Sequence, residues 1–319
     1  MASDDGEKKV LTSAPPPWHS VLLMVTFGAV FIYLMPSLEK LDEAATVETF
    51  TRVLFPEYLD LYTMAYIRLF VGLTIWWVTI QMSVFSNGWE QQPSYLPGSQ
   101  LKMVPNQLKG IKTCFPFTSV SWNLLGMYFV LAGYIALEGA KNEAATISPW
   151  ILRTALATWE VAAPNSLLVS AVIRYVIWPG VLRKGNSTIN LKSVRNIFMH
   201  NLNAFFALSE SGLLGGPPVR FTDISLAPLV GIAYVVFTWN MSMSWNKPEH
   251  GPQFIYFFFD TTLPGYTASI ALIGLLVALI TFFVIFSSCE HLLVWTESGI
   301  IGGLAFVVSI SSMVMRFRD

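Results

Sequence analysis

The side chains that could do chemistry in this chain are a few polar residues inside long apolar stretches. Thr118 offers a hydroxyl that could act as a nucleophile, and His200 offers an imidazole that could accept its proton. A hydroxyl nucleophile is weak until such a base lies within hydrogen-bond reach. Asn201, Asn203 and Arg174 are candidates for supporting this pair or for stabilising an oxyanion, as are backbone amides. Together these residue types are suited to acyl transfer.

Two alternatives stay open for the pair. Ser119 and Ser121 flank Thr118, so the nucleophile could be one of these serines. Threonine is also a favoured helix N-cap, and His200 could anchor its helix at the lipid headgroups. In that case both side chains are structural and no reaction follows.

A second set of polar residues, Arg68, Glu160 and Glu210, shares one depth in the predicted helices. An ionisable side chain inside a membrane costs about 2.5–3.5 kcal/mol on insertion scales, so each needs a partner or a function. We therefore predict that Arg68 lies against Glu160, Glu210 or both, which would also serve as packing between helices. Glu290 and His291 are adjacent in the sequence, hence on different helix faces, and we expect them at the membrane interface.

Several classes of protein are excluded by motif and charge. The chain has no G-x-S-x-G, H-E-x-x-H, Walker or Rossmann pattern. Its four histidines have no helical spacing, and Cys114 and Cys289 form no metal motif, so we expect no metal and no cofactor. With 19 Lys+Arg against 20 Asp+Glu, the net charge of −1 argues against a nucleic-acid partner.

The composition identifies the class of protein that must position these residues. Of 319 residues, 54% are hydrophobic and 12% are charged, with a mean hydropathy of +0.54. Soluble domains carry roughly 25% charged residues. The sequence therefore predicts an all-α integral membrane protein, a bundle of about eight transmembrane helices, or seven if the last does not span.

The predicted spans are long apolar runs, each near the roughly 20 residues that cross a bilayer. They are 18–36, 61–86, 117–137, 151–178, 196–215, 224–245, 267–289 and the shorter 298–315. We expect residues 1–17 to be a disordered cytosolic tail and 18–319 a single transmembrane domain. Pro164 should kink its helix, since it cannot donate to the carbonyl of Glu160.

The basic residues predict the orientation. With eight spans, twelve of them fall on the side of the two termini and five on the other, while Arg68 and Arg174 lie inside spans. Positive residues favour the cytosolic side, so we expect both termini in the cytosol. The protein would lie in an endomembrane such as the endoplasmic reticulum or in the plasma membrane.

Five stretches, read in order, carry a family resemblance. They are CFPFTSVSWNLLGMYFVLAG (114–133), WEVAAPNSLL (159–168), RNIFMHNLNAFFALSE (195–210), LAPLVGIAYVVFTW (226–239) and QFIYFFFDTTLPG (253–265). Over about 61–295, the chain resembles the androgen-induced and rolling-stone-like family of multipass membrane proteins. The predicted first and last spans are departures from that family.

The resemblance implies a function and its residues. Members of the androgen-induced branch are intramembrane threonine hydrolases of fatty acid esters of hydroxy fatty acids, which implies Thr118 as nucleophile and His200 as base. The partners would then be membrane lipids and a lipid ester substrate. The rolling-stone branch implies the alternative, a non-catalytic multipass protein in adhesion, transport or scaffolding, with structural buried charges. Nothing in the sequence predicts an oligomeric state.

Overall fold

The structure is a computed structural model that describes residues 10–142, 147–296 and 299–319. Within these ranges the chain is mostly α-helical, as the composition predicts. The helices are α1 (Trp18–Tyr33), α2 (Leu38–Ala44), α3 (Val47–Thr51), α4 (Leu61–Ile80), α5 (Phe117–Lys141), α6 (Pro149–Val172), α7 (Trp178–Arg183), α8 (Val194–Ile197), α9 (Asn203–Ser209), α10 (Leu226–Met241), α11 (Thr267–Thr296) and α12 (Gly299–Val314). Residues 1–9 of the expected tail and Ser298 of the expected last span lie outside the described residues.

Five described helices are long and apolar enough to cross a membrane, which makes the chain a multipass membrane protein. They are Leu61–Phe85, Phe117–Lys141, Pro149–Arg183, Phe221–Met241 and Thr267–Thr296. The first predicted span corresponds to a helix pair bent by 60°, Trp18–Tyr33 with Leu38–Thr51, which would make a sixth. The predicted last span is the 16-residue helix α12, which is too short for this criterion.

The predicted span 196–215 is a continuous helical segment from Val194 to Leu214, but it is not among the five. It alternates α8 and α9 with two π-helical turns, Phe198–Leu202 and Glu210–Leu214. Its polar residues lower its hydropathy below that of the other spans. Two more π-helical turns, Gln81–Phe85 and Ile173–Ile177, follow α4 and α6. A π-helical turn inserts an extra residue into a helix and often marks a functional site.

The long segment between α4 and α5 contains a short hairpin that the sequence analysis did not foresee. Strands β1 (Trp89–Gln91) and β2 (Asn106–Leu108) pair antiparallel, with Trp89 opposite Leu108 and Gln91 opposite Asn106. Three residues per strand are too few for an alternating pattern to stand out in the sequence. Five 3₁₀ turns accompany the helices: Gly110–Cys114, Ile189–Lys192, Phe221–Asp223, Pro248–His250 and Phe257–Phe259.

The chain divides into two compact units. Unit 1 comprises Met1–Leu34, Gln81–Pro116 and Pro228–Ala278, and unit 2 comprises Met35–Ile80, Phe117–Ala227 and Leu279–Asp319. In unit 1 the hairpin packs on the segment after α10, through Leu108, Trp245 and Ile255.

In unit 2 glycines bring α4 and α5 close together. A Cβ on Gly126 would lie 2.5 Å from Ile75 Cγ2, and one on Gly133 would lie 2.8 Å from Leu69 Cγ. Small residues allow this approach, which drives helix association where lipid removes the hydrophobic effect. Helix α6 is the most buried of the spans and continues past Pro164 to Val172. The helix therefore does not end at Pro164.

Candidate functional site

Arg68 forms the buried ion pair that its depth predicts, and its partner is Glu210. Arg68 Nη2 lies 2.7 Å from Glu210 Oε1, and both side chains are 0% exposed. Arg68 Nη1 also donates to the carbonyl of Phe50 at 2.5 Å, and Nη2 donates to that of Leu214 at 3.4 Å. Tyr128 donates its hydroxyl proton to the same Glu210 oxygen at 2.7 Å. We call Arg68, Tyr128 and Glu210 the Arg68 cluster.

Glu160 belongs to a separate set of bonds. Both of its oxygens accept from the backbone N–H of Arg220 at 3.2 Å, and the Arg220 guanidinium lies 3.6 Å away. Arg220 also donates to Asp223, which is fully buried. Asp223 was missed in the sequence because it precedes a predicted span and looks like an exposed loop residue.

Glu290, which was expected at the membrane interface, is buried inside the protein. Its side chain is buried, with Oε1 accepting from the Ser211 hydroxyl at 2.5 Å and Oε2 from the Val219 N–H at 2.6 Å. The Ser287 hydroxyl donates to the Val219 carbonyl at 2.6 Å. The α11 helix extends to Thr296, so Glu290 lies inside it and faces the segment that follows the second π-helical turn.

His200 lies on the first π-helical turn of the Val194–Leu214 segment. The Ser170 hydroxyl on α6 faces both the His200 carbonyl, at 2.5 Å, and Asn203 Oδ1, at 3.0 Å. Asn203 Oδ1 also accepts from the backbone N–H of Ala204 at 2.7 Å. These bonds fix the π-helical turn against α6 and leave the His200 ring uninvolved.

Several polar atoms in this region are buried and have no hydrogen-bond partner. They are Nδ1 of His200, Nδ2 of Asn203 and the hydroxyls of Ser119 and Ser121. Buried polar groups in proteins are nearly always bonded, so unpaired ones call for an explanation such as an absent ligand. We call these four residues the His200 cluster; they lie on two packed segments, α5 and Val194–Leu214. Ser119 and Ser121 are two residues apart and therefore lie on different faces of α5.

Thr118 lies half-buried at the second residue of α5. Since α5 begins at Phe117, Thr118 is inside the first turn and does not occupy the N-cap position. One turn later, the Trp122 ring contacts Phe198 and Phe206 edge-on or tilted, with centroids 6.4 and 6.5 Å away. The start of α5 therefore packs on the π-helical turn that carries His200. Both Thr118 and His200 are described, and no hydrogen bond joins their side chains.

Two of the three predicted supporting residues are bonded elsewhere. Asn201 donates to the carbonyl of Arg316 at 2.8 Å and accepts from its N–H at 3.1 Å. Arg174 donates to the carbonyls of Ser312 and Met315, the latter at 2.6 Å. Both thus hold the end of α12 and the residues after it. Of the two predicted amide donors, Asn203 is the one whose Nδ2 makes no hydrogen bond.

Asp319 holds the residues after α12 against α7 and the loop that follows α7. Asp319 accepts from Trp178 Nε1 at 3.1 Å, from Thr188 at 2.8 Å and from Lys192 at 2.7 Å. The hydrogen bond from Lys192 is the main reason that the pKa of Asp319 lies below its ordinary value.

The described residues contain no group of three or more His, Cys, Asp and Glu side chains that could hold a metal ion.

Three π-helical turns carry Arg174, His200 with Asn201, and Glu210. These turns are not predictable from the sequence, because no residue pattern marks the extra residue of a π-helix.

Comparison of the chain with family models, curated proteins and solved structures finds no match in any of the three. The resemblance to the androgen-induced and rolling-stone-like family thus stays a prediction from the motifs.

Proposed function

We propose that the protein is an intramembrane lipid-ester hydrolase that uses Thr118 as nucleophile and His200 as base. The single observation that supports this best is the His200 cluster. Its unpartnered atoms include an imidazole nitrogen, an amide N–H and two hydroxyls, on segments that pack against each other. A polar ligand such as an ester would satisfy groups that the protein leaves unpaired.

The proposed reaction is acyl transfer in two steps. The Thr118 oxygen attacks the ester carbonyl carbon as its proton passes to His200, and the Asn203 amide N–H stabilises the negatively charged oxygen. The tetrahedral intermediate then expels the alcohol, which takes the proton from His200. Water hydrolyses the acyl-threonine by the same proton route and regenerates the hydroxyl. The substrate class is a fatty-acyl ester.

We also propose how the chain lies in the membrane. The eight-span arrangement would add the bent pair, the Val194–Leu214 segment and α12 to the five long apolar helices. With both termini in the cytosol, His200 and Thr118 lie toward the cytosolic face of an endoplasmic reticulum or plasma membrane. An acyl chain would then lie between helices while its ester group reaches the His200 cluster.

The second candidate is a non-catalytic multipass membrane protein, acting in adhesion, transport or as a scaffold. The observation that favours it is that no hydrogen bond joins Thr118 to His200. Catalytic hydrogen bonds often tighten only when substrate is bound, so this geometry is compatible with both candidates.

The test is hydrolysis of a panel of fatty-acyl esters, including fatty acid esters of hydroxy fatty acids, by the detergent-purified full chain. Thr118→Ala and His200→Ala should each lower kcat/KM by at least about 100-fold. The double variant should be no worse than either single one, because the two residues act as a unit. His291→Ala, which removes another histidine of unit 2, should leave the rate unchanged. Inactive wild type on every ester would favour the non-catalytic candidate.

The same assay decides the nucleophile. Ser119→Ala and Ser121→Ala keep the α5 backbone and remove the neighbouring hydroxyls one at a time. Both should retain most of the activity if Thr118 attacks. Loss of activity in one serine variant, with Thr118→Ala active, would move the nucleophile to that serine.

A further inference from the structure

Unit 1 contains an open cavity of about 630 Å³ that is distinct from the residues of the proposed reaction. Its lining combines part of the hairpin, the 3₁₀ turn before α5 and the segment after α10. The lining residues are Val104, Pro105, Gln107, Lys112, Trp245, Asn246, Lys247 and His250. None of them is acidic, and two are lysines.

Two of the lining residues carry a buried nitrogen without a partner. Trp245 is 1% exposed, and its indole Nε1–H has no acceptor. Nδ1 of His250 is likewise buried and unpaired. An indole N–H can only donate, so a ligand that satisfies it must bring an acceptor. Leaving a buried donor unpaired is costly, and such an acceptor would satisfy it.

The cavity is held in shape by a network of hydrogen bonds. The backbone N–H of Gln107 donates to the carbonyl of Trp245 at 3.4 Å, and Asn246 Nδ2 donates to Asn106 Oδ1 at 3.3 Å. Asn106 in turn donates to the carbonyl of Phe254 at 3.1 Å. Lys112 Nζ donates to the carbonyl of Ser244 at 2.5 Å, which holds its charge beside the cavity.

The two lysines that line the cavity favour an anion. Lys112 keeps two further N–H donors after its bond to Ser244. Lys247 is 76% exposed and lies 3.8 Å from Glu249, a surface pair of little energetic weight that leaves the ammonium available. Donors from an indole, two ammonium groups and a histidine match the several acceptor oxygens of a phosphate.

The neighbouring surface favours a lipid as the source of this phosphate. Met103 and Ile111, which directly precede the lining residues Val104 and Lys112, are 62% and 67% exposed. Exposed apolar residues beside a basic pocket are the arrangement expected where headgroup and acyl chain meet the protein. A free phosphate ion has no acyl chain that could contact these apolar residues.

We propose that this cavity binds the phosphate of an anionic membrane lipid, with Trp245, His250, Lys112 and Lys247 as its donors. The site would hold one lipid at unit 1, and it does not depend on the reaction proposed for Thr118 and His200. Its role is recognition of the headgroup and not chemistry.

The test is native mass spectrometry of the detergent-purified full chain titrated with short-chain phosphatidic acid, phosphatidylcholine or inorganic phosphate. Phosphatidic acid should bind at least about tenfold more tightly than the other two ligands, the loss expected for a missing charge-assisted contact. Trp245→Phe keeps the ring and removes the N–H, and Lys112→Gln removes one charge. Each should weaken phosphatidic acid binding about tenfold with the melting temperature nearly unchanged.

Lys109→Gln is the matched control, because it removes a lysine of the same segment that does not line the cavity. Its affinity for phosphatidic acid should equal that of the wild type. The site is overturned if all three variants bind alike or if wild type binds phosphatidic acid and phosphatidylcholine equally. Inorganic phosphate binding as tightly as phosphatidic acid would overturn the lipid as the source. If Trp245→Phe fails to fold, Lys112→Gln against Lys109→Gln gives the same decision.

Discussion

The Arg68 cluster and the His200 cluster each have a residue on the Val194–Leu214 segment. Glu210 and His200 lie about 15 Å apart along it, since ten residues at 1.5 Å each separate them. Each residue of the Arg68 cluster takes part in at least one strong bond, although Arg68 Nε and Glu210 Oε2 have none. In the His200 cluster, the hydroxyls of Ser119 and Ser121 make no bond at all. In each cluster one residue, Glu210 or His200, lies on a π-helical turn of unit 2.

The difference separates a structural role from a binding role. A charge paired inside the membrane stabilises the fold, and removing its partner is costly. A buried hydroxyl without a partner makes no such contribution, and its placement is explained by a ligand. We therefore expect substitutions in the Arg68 cluster to act on stability, and substitutions of His200 and Asn203 to act on function.

The largest effect is expected from breaking the buried ion pair. Arg68→Met leaves Glu210 unpaired and should lower the free energy of unfolding by about 3–5 kcal/mol. Adding Glu210→Met should restore part of this loss, because the uncompensated charge is gone. Thermal unfolding in detergent measures both. Arg153→Met, which breaks the partly exposed pair with Asp42, is the control and should leave the melting temperature nearly unchanged.

The next effect concerns the contact of α12 with the π-helical turn Glu210–Leu214. A Cβ on Gly303 would lie 2.2 Å from the carbonyl oxygen of Gly212, so Gly303→Ala forces the backbones apart. We expect a loss of about 1–3 kcal/mol in the same thermal measurement. Gly274→Ala in α11 meets no atom within 4 Å and should be neutral or slightly stabilising. Equal melting temperatures for the two variants would contradict this packing.

A smaller effect should follow from pH, through the hydrogen bonds of Asp319 to Trp178, Thr188 and Lys192. The Lys192 hydrogen bond holds the pKa of Asp319 below its ordinary value of 3.8, so its contribution is complete at neutral pH. It is lost as the pH falls below about 4 and Asp319 becomes protonated. The melting temperature of Asp319→Asn should therefore lie below that of wild type at pH 6 and approach it near pH 3. A constant gap would show that Asp319 does not titrate as described.

The smallest effect is expected from removing an unpaired hydroxyl. Ser121→Ala deletes a buried polar atom that has no partner, so the melting temperature should stay the same or rise. A clear drop would mean that Ser121 makes a bond that the fold needs. That result would move this residue from the binding region to the structural one.

The sequence predicted the parts of unit 2 that depend on composition and depth. The apolar runs gave the long helices, and the cost of a charge in lipid gave the pair between Arg68 and Glu210. It did not foresee that Glu290 and Asp223 are buried, because no sequence pattern reveals their partners. Glu290 accepts from the Ser211 hydroxyl and the Val219 N–H, and Asp223 accepts from the Arg220 guanidinium.

The candidate site was less predictable than the helices. Thr118 and His200 follow from residue type and topology, and the packing of α5 on the π-helical turn agrees with that placement. Asn201 and Arg174 bind the end of α12 and the residues after it, while Asn203 Nδ2 makes no hydrogen bond. The bonds of Asn201 and Arg174 depend on where the residues after α12 lie. Such long-range contacts are set by tertiary packing, and local pattern does not encode them.

The most direct test of the account is to find the acylated residue. The detergent-purified full chain would be treated with a fluorophosphonate or an activated fatty-acyl ester, digested with trypsin and examined by mass spectrometry. Cleavage after Lys112 and Lys141 gives a peptide that contains Thr118, Ser119 and Ser121. The account predicts one adduct, on Thr118, that disappears in His200→Ala while the melting temperature is unchanged. No adduct on this peptide, or an adduct that forms equally without His200, would contradict it.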